Sequence, residues 1–440
     1  MPVAQHSQTT KNKIKKSIKE TRARHANMRC ITRVVKIDAT YLRTHHKQHE
    51  KLARVFLEAK WFKNHILAND MIYSDKPYLL KHVNVKLPND TYDERNMHVL
   101  SSHMKQSVIA GMKDDIKGLH TLKCNGHKVG ALKPCNEVRA IKLKQHGNTY
   151  TVDVQHNRIR VQNIGWLRVR GLEQLPAHSE FSSAVLVHKA DGYYIHITVY
   201  YKDAPQRTYI QGTHVGIDMG LKTSITLSNG EKFNMYVEEP DRLRRLRKKL
   251  SRQTKGSNNY VKTLHEIRKI EQHLTNTKND IANKFVSDLS HFEHVYFQDE
   301  MLSAWKRKTC YVRAGRKIQY GVLGRIKARL RTKQWATMIG KHHATTQTCI
   351  CGAKNKHQLD ERVYFCSQCG YRDDRDVHAA KNMVSFTASD KRYVIQPPQG
   401  LGIAPVEHGT SAIHFNFIEG AMDGKCNVKK QETGQSLVDQ

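Results

Sequence analysis

The sequence predicts a multi-domain α+β protein: a β-barrel carrying a helical insertion, followed by an α/β domain that a small cysteine-bearing ribbon interrupts. Three observations carry this reading. At 440 residues the chain can bury several cores without disulfide support. Its first half switches from period-two hydrophobic alternation to helical spacing and back. Four of its nine cysteines crowd into the stretch from Cys349 to Cys369.

Residues 1–28 are polar and basic, with too few apolar side chains for a core, and are expected to form a mobile arm or frayed helix. Ile31, Arg33, Val35 and Ile37 alternate with Thr32, Val34 and Lys36, which predicts a strand. Leu52, Val55, Phe56, Ala59, Phe62 and Ile66 then fall at helical spacing, as do Met104, Val108, Met112 and Ile116, so 41–127 reads as a helical module. From Val138 to Lys202 alternation returns, with turn signals at Gly147-Asn148, His156-Asn157 and Asp191-Gly192. Residues 29–40 and 128–205 are therefore assigned to one barrel, and Pro205 marks a linker. The second half opens with strands over His214–Leu227 and a turn at Asn229-Gly230, before a long helical stretch begins near Asp241. Ile281, Phe285 and Leu289 lead into a short apolar strand, Val295-Tyr296-Phe297. Past Leu401 the chain is Gly-rich and polar, and 401–440 is expected to be disordered.

Lys and Arg total 74 against 40 Asp and Glu, a net charge of +34. Such a surface repels itself unless a polyanion neutralises it, so nucleic acid is the expected partner. A membrane surface is the rival, but no run of about 18 apolar residues and no apolar signal core accompanies the charge. The densest basic run surrounds Leu243, Leu246 and Leu250: Arg242, Arg244, Arg245, Arg247, Lys248, Lys249 and Arg252. With no compensating acids inside the run, it is expected to contact phosphates, the alternative being a solvated helix face.

Three acids stand out. Asp218 lies in Gly216-Ile217-Asp218-Met219-Gly220, where a lone carboxylate in an apolar strand is costly unless it is paired or binds a metal. Glu300 closes the strand ending at Phe297. Asp376 opens a helical stretch and, alone, would read as an N-cap. Their order, an acid on a first strand before a hairpin, one ending a later strand and one opening a late helix, resembles the layout of RNase H-like nucleases. Such folds converge acids on two Mg²⁺ ions about 4 Å apart. Asp299 and Asp374 are neighbouring acids ranked behind these three.

Cys349-Ile350-Cys351-Gly352 and Cys366-Ser367-Gln368-Cys369-Gly370 form two knuckles, the first one residue shorter than usual, and four thiolates so spaced read as a structural Zn²⁺ site. Together, the Gly-Ile-Asp-Met-Gly motif, the Glu300-Met301-Leu302 motif, and the ribbon running into Asp-Arg-Asp-x-x-Ala-Ala-x-Asn resemble the TnpB family of transposon-associated RNA-guided nucleases, related to miniature type V CRISPR effectors. The likeness spans roughly 29–385.

The resemblance implies a wedge-like barrel, a helical recognition module, a RuvC-type nuclease domain over 206–345 and 373–400, and a zinc ribbon over 346–372. It implies Asp218, Glu300 and Asp376 as catalytic acids holding two Mg²⁺, and Cys349, Cys351, Cys366 and Cys369 holding one Zn²⁺. Guide RNA and double-stranded target DNA are the implied partners, cut beside a short flanking motif. A prokaryotic cytoplasmic, nucleoid-associated setting is implied, with a monomer preferred over a homodimer. Trp61, Asn64, Ser102, Lys105 and Gln106 in the helical module are the expected contacts to the flanking duplex. One position departs: the family carries Asn two residues after its last acid, and here that residue is His378, which is expected to do similar orienting work as a neutral ring. Two other functions share these features, a nuclease-inactive guided repressor and a guide-independent resolvase or transposase. Loss of an acid would favour the first, and absence of a defined copurifying RNA the second.

Overall fold

The computed structural model describes residues 8–87, 89–202, 207–302, 304–306, 315–357 and 361–385; the expected disordered tail at 401–440 lies outside them. The chain divides after Pro205 into two compact units, each with its own core.

In the first unit, α1 (Gln8–Ala26) leads into β1 (Arg29–Ile37), followed by α2 (Ala39–Thr44) and α3 (His46–Ala68). A hairpin of β2 (His82–Lys86) and β3 (Tyr92–Asn96) precedes α4 (Ser102–Cys124). Then come β4 (Ala140–Leu143), β5 (Tyr150–Asp153), β6 (Arg158–Val161), β7 (Gly165–Arg170), β8 (Glu180–Lys189) and β9 (Gly192–Tyr201). Seven of these strands form one curved sheet in the order β4-β8-β9-β1-β7-β6-β5. In β9, Tyr193, Ile195, Ile197 and Val199 point into the core and the residues between them point out, the period-two rule of a half-buried strand. The described part of the arm is helical over Gln8–Ala26, and its end is tied down: His25 stacks on Tyr200 with ring centroids 3.8 Å apart, and Arg24 pairs with Glu180 at 2.9 Å.

The inserted module is not purely helical, because it contains the β2–β3 hairpin. Two of its expected nucleic-acid contacts serve the fold instead. Lys105 is 4% exposed and donates its ammonium to the Leu80 carbonyl at 2.5 Å, and burial pulls its pKa down. Asn64 clamps the backbone of Cys135 through both amide atoms, at 3.0 and 2.9 Å. Trp61 is half-buried under the Arg54 guanidinium, 4.7 Å from its ring centre; Ser102 is exposed and Gln106 half-buried. The module is held to its loops by Glu58, fully buried on α3. Its carboxylate accepts from the backbone amides of His98, Val99 and Leu100, and from Arg54. A buried charge with four donors is satisfied rather than costly.

In the second unit, β10 (Ile210–Met219), β11 (Ile225–Leu227) and β12 (Lys232–Phe233) form an antiparallel meander. Helices α5 (Asp241–Ser251) and α6 (Asn258–Asp288) follow, then β13 (Phe292–Gln298), α7 (Gly315–Tyr320), α8 (Leu323–Leu330) and β14 (Ala336–Ile339). The sheet order is β12-β11-β10-β13-β14, with β10, β13 and β14 parallel. The short strands β15 (Val363–Phe365) and β16 (Arg372–Asp374) pair antiparallel and run directly into α9 (Arg375–Ser385).

The single helix expected from Asp241 is two. Arg252 ends α5, Gly256 takes φ +90°, and the Ser257 hydroxyl caps α6 by accepting from the Tyr260 amide. Acids absent from the basic run arrive from elsewhere on the unit: Arg242 pairs with Glu266 at 3.4 Å, and Arg247 with Glu239 at 2.6 Å and Glu271 at 2.8 Å. Arg244 pairs with Asp241. Arg245, Lys248, Lys249 and Arg252 stay exposed. Among the described residues, no helix is long and apolar enough to cross a membrane.

Candidate active site and metal centre

Asp218 sits one residue beyond the Ile217–Phe297 pair that joins β10 to β13. Glu300 lies two residues past the end of β13, so both acids stand at the carboxyl ends of adjacent parallel strands, where ligand crevices of α/β sheets form. Asp376 is in the first turn of α9, which packs across β10. Gly216 makes that crossing possible: a Cβ there would lie 1.8 Å from the Ala380 carbonyl oxygen. Gly216→Ala should therefore push α9 off the sheet at a cost of about 1–3 kcal/mol, read by thermal unfolding. Unchanged stability would mean that the helix does not pack this closely.

The three carboxylates are half-buried and electrostatically coupled. Burial, then the charges of Asp376 and Glu300, pushes Asp218 up to about 7, with Arg375 opposing. Burial also raises Glu300, against the pull of Lys327. A cluster of acids that cannot all ionise unaided fits a cation, and oxygen donors of this kind suit Mg²⁺. The acids are not drawn into a tight ligand cage: among the described residues, the only group of three or more metal-binding side chains gathered within 4.8 Å of one another is the four cysteines.

The neighbouring acids are otherwise engaged. Asp299 pairs with Lys327 at 2.5 Å, and the same ammonium donates to the Glu300 carbonyl at 2.6 Å. Asp374, not Asp376, caps α9: its carboxylate accepts from the amides of Asp376 and Val377 and pairs with Lys232 at 2.7 Å. Asp373 is held by Lys381 and the Tyr371 hydroxyl. Among the described residues, Asp376 keeps long contacts to Arg362 and Arg375, at 3.7 and 3.5 Å, so its carboxylate remains available.

His378 does not orient Asp376. Its ring is fully buried, stacks on Tyr364 at 3.6 Å, and donates from Nε2 to the Thr348 carbonyl at 2.9 Å. Burial holds its pKa down at about 4, keeping it neutral. Asn382, one turn on, donates to the carbonyls of Thr345 and Thr348, both at 2.6 Å. The two side chains latch α9 to the chain entering the first knuckle. Sequence reasoning passed over Asn382, although it closes the Asp-Arg-Asp-x-x-Ala-Ala-x-Asn run. Lys327 was also passed over, and it carries no local signal, being 27 positions from the carbonyl it holds.

The four thiols sit as a tetrahedral ion would place them. Cys349 and Cys369 sulfurs are 3.6 Å apart, and those of Cys351 and Cys366 3.7 Å. Zinc–sulfur bonds of about 2.3 Å in a tetrahedron require roughly 3.8 Å. The amides of Cys369 and Gln368 hold the Cys366 thiol down at about 6, whereas burial drives Cys349 up to about 12. One thiolate is favoured, and further ones need a cation. The short first knuckle closes as a tighter turn: the Gly352 amide donates to the Cys349 carbonyl three residues back, whereas Gly370 reaches four back to Cys366, both at 2.9 Å. Each glycine takes positive φ, +90° and +73°. Beside the thiols, His357 spends Nδ1 on Glu361.

Two family models match parts of this chain, one spanning Asp218 and the other Asp376 with the four cysteines. Residues 196–293 match the family model OrfB_IS605, described as a probable transposase, and 325–383 match the Cas12f1-like TNB domain. The chain is 24% identical over 256 residues to an Escherichia coli (strain K12) protein bearing the provisional name RNA-guided DNA endonuclease InsQ. That alignment spans 53% of this chain and 63% of the relative. A Streptomyces pristinaespiralis protein, provisionally an RNA-guided DNA endonuclease, is 29% identical over 182 residues, 39% of this chain and 44% of its own. The chain thus spans less than two thirds of either relative. A solved Cas12f1-sgRNA-target DNA complex aligns over 81% of this chain and 99% of its own at 11% identity and a TM-score of 0.40, a likeness too distant to add to the assignment. Both family models and both relatives point the same way: over these segments the chain is similar to TnpB-like proteins.

Proposed function

We propose that this protein is an RNA-guided DNA endonuclease of RuvC type, with Asp218, Glu300 and Asp376 as its catalytic acids and the ribbon as a structural zinc domain. The observation that carries the reading is the electrostatic coupling of these three acids at the carboxyl ends of β10 and β13, while Asp299, Asp373 and Asp374 are spent on lysines and a helix cap. The names of the relatives support guided DNA cutting as the task. Two divalent ions at the acids would position the attacking water and neutralise the leaving oxygen. The chain's part is to hold the acids: Gly216 lets α9 bring Asp376 to β10, and Lys327 fixes the backbone that presents Glu300. In this reading a guide RNA pairs with the target strand beside a short duplex motif, and the protein grips the hybrid by charge and shape.

Sequencing the RNA that copurifies, then offering DNA matched to it with Mg²⁺ or with EDTA, tests the proposal. A defined RNA and cleavage of matched DNA only with Mg²⁺ are expected. Guided binding without cleavage would make the protein a repressor, and cleavage with no bound RNA a guide-independent nuclease.

Electrostatic grip is tested separately. Each phosphate neutralised on duplex DNA contributes about 0.9 to the log–log slope of affinity against salt. Arg245→Ala with Lys249→Ala should lower that slope by up to ~2, measured between about 50 and 300 mM salt. The ion-paired Arg242 and Arg247 should matter less to the slope. Equal effects from all four would mean that the intramolecular pairs open on binding.

A further inference from the structure

A cavity of about 650 Å³ opens in the second unit beside the acids. Its walls continue the loops that present them. Gly220, Leu221 and Lys222 follow Asp218 on the turn after β10, and Leu302 and Trp305 follow Glu300 after β13. Tyr236, 38% exposed, and the half-buried Trp305 are its aromatic lining. None of the three acids or four cysteines is among its lining residues.

Its chemistry is that of a nucleotide pocket. Flat aromatic faces take any base by stacking, and cations at the rim suit the phosphates on either side. Lys222 is exposed and has no ion pair among the described residues. Lys278 and Arg325 also line the cavity, where they donate to the Gln319 carbonyl and the Asn279 side chain. Asn234 accepts from the Ser224 amide with Oδ1, which leaves its Nδ2 hydrogens for a base edge or a phosphate. No acidic side chain is among the lining residues. The volume falls within the range of about 300–1,000 Å³ typical of small-ligand sites, enough for one unpaired nucleotide and too small for a duplex.

We infer that this cavity is a stacking subsite that receives one unpaired DNA base next to the phosphate to be cut, with Trp305 as its principal face. The inference rests on the nuclease reading above and adds a requirement to it: the substrate strand must be single at that point, because a paired base cannot enter. The subsite fixes the register between the bound strand and Asp218. Trp305 is thus a positioning residue that touches the strand but not the reacting atoms.

Two measurements on the complex purified with its RNA separate this inference from the nuclease reading. The first withholds Mg²⁺ and uses single-stranded oligodeoxynucleotides carrying one 2-aminopurine, placed at successive positions. Quenching at one position is expected for wild type and for Trp305→Phe, and its loss for Trp305→Ala. The second adds Mg²⁺ and walks a single abasic site along the cleaved strand. One abasic position should slow wild-type cleavage about tenfold, the scale of a lost base stack. Trp305→Ala should slow the normal strand by the same factor, and the two changes together should add nothing further. Trp305→Phe should restore most of the rate, which a purely structural loss would not predict. Quenching at no position, or defects that multiply, overturns the subsite. Quenching that depends on Trp305 without any cleavage overturns the nuclease reading and leaves the base pocket in place.

Discussion

Asp218→Ala is expected to slow DNA cleavage about a thousandfold or more, ~4 kcal/mol of barrier, while guided DNA binding stays near wild type. The two properties separate because they come from different parts of the molecule. The acid holds a place at the end of β10, whereas in the proposed reading affinity comes from exposed cations such as Arg245, Lys248 and Lys249. The fold should not suffer. Asp218 is raised to about 7 by burial and by like charge, so in metal-free protein its ionisation opposes folding as pH rises from about 4 to 7. Without metal, Asp218→Asn should therefore be at least as stable as wild type above pH 7. Adding Glu300→Ala should cost little more, since residues that act as one unit are lost together. Both activities need measuring on the same preparation. Wild-type cleavage in Asp218→Ala would remove this residue from the site, and parallel loss of binding would mean that the acid supports the fold instead.

Legibility in the sequence follows the range of each interaction. Strand β9 and helix α3 announce themselves because burial on one face imposes a period on neighbouring residues. Asp218 is legible for the same reason, as a charge that breaks an apolar strand. Hairpin β2–β3 leaves no such trace: of its ten strand residues only Val83 is buried. The basic helix misleads through distance, since Arg242 and Arg247 find Glu266 and Glu271 24 positions away, across the α5–α6 turn. A local charge count cannot see that pairing. Lys105 and Asn64 sit in a module read as a nucleic-acid surface, but their partners, Leu80 and Cys135, are backbone atoms with no sequence signature. His378 looks like a substitute for an orienting asparagine, yet its partner, Thr348, lies 30 positions back at the entrance to the ribbon.

That last contact gives the zinc site a consequence beyond its own fold. Cys366→Ser should remove the bound zinc and abolish cleavage, although no thiolate is among the acids. The ribbon is too small to hold its shape by apolar packing: its buried cluster is Cys349, Tyr364 and Cys366, and two of the three are proposed zinc ligands. In the proposed reading, metal binding on the order of ~10 kcal/mol would supply its folding energy. Two connections carry the loss to Asp376. Strand β16 runs without a break into α9, and Tyr364 stacks on His378, whose ring bonds Thr348 next to Cys349. If the ribbon unfolds, the Asp374 cap and the His378 latch lose their supports together, and Asp376 leaves the end of β10. His378→Ala separates the two effects. It should retain one zinc per chain by metal analysis, because no ligand is touched, but lose stability by about 2–4 kcal/mol through the cavity and the broken bond. Its cleavage should fall while its zinc does not. Full cleavage in zinc-free Cys366→Ser would show that the ribbon and the acids are independent. Full cleavage in a zinc-replete but destabilised His378→Ala would show that β16 alone holds Asp376 in place.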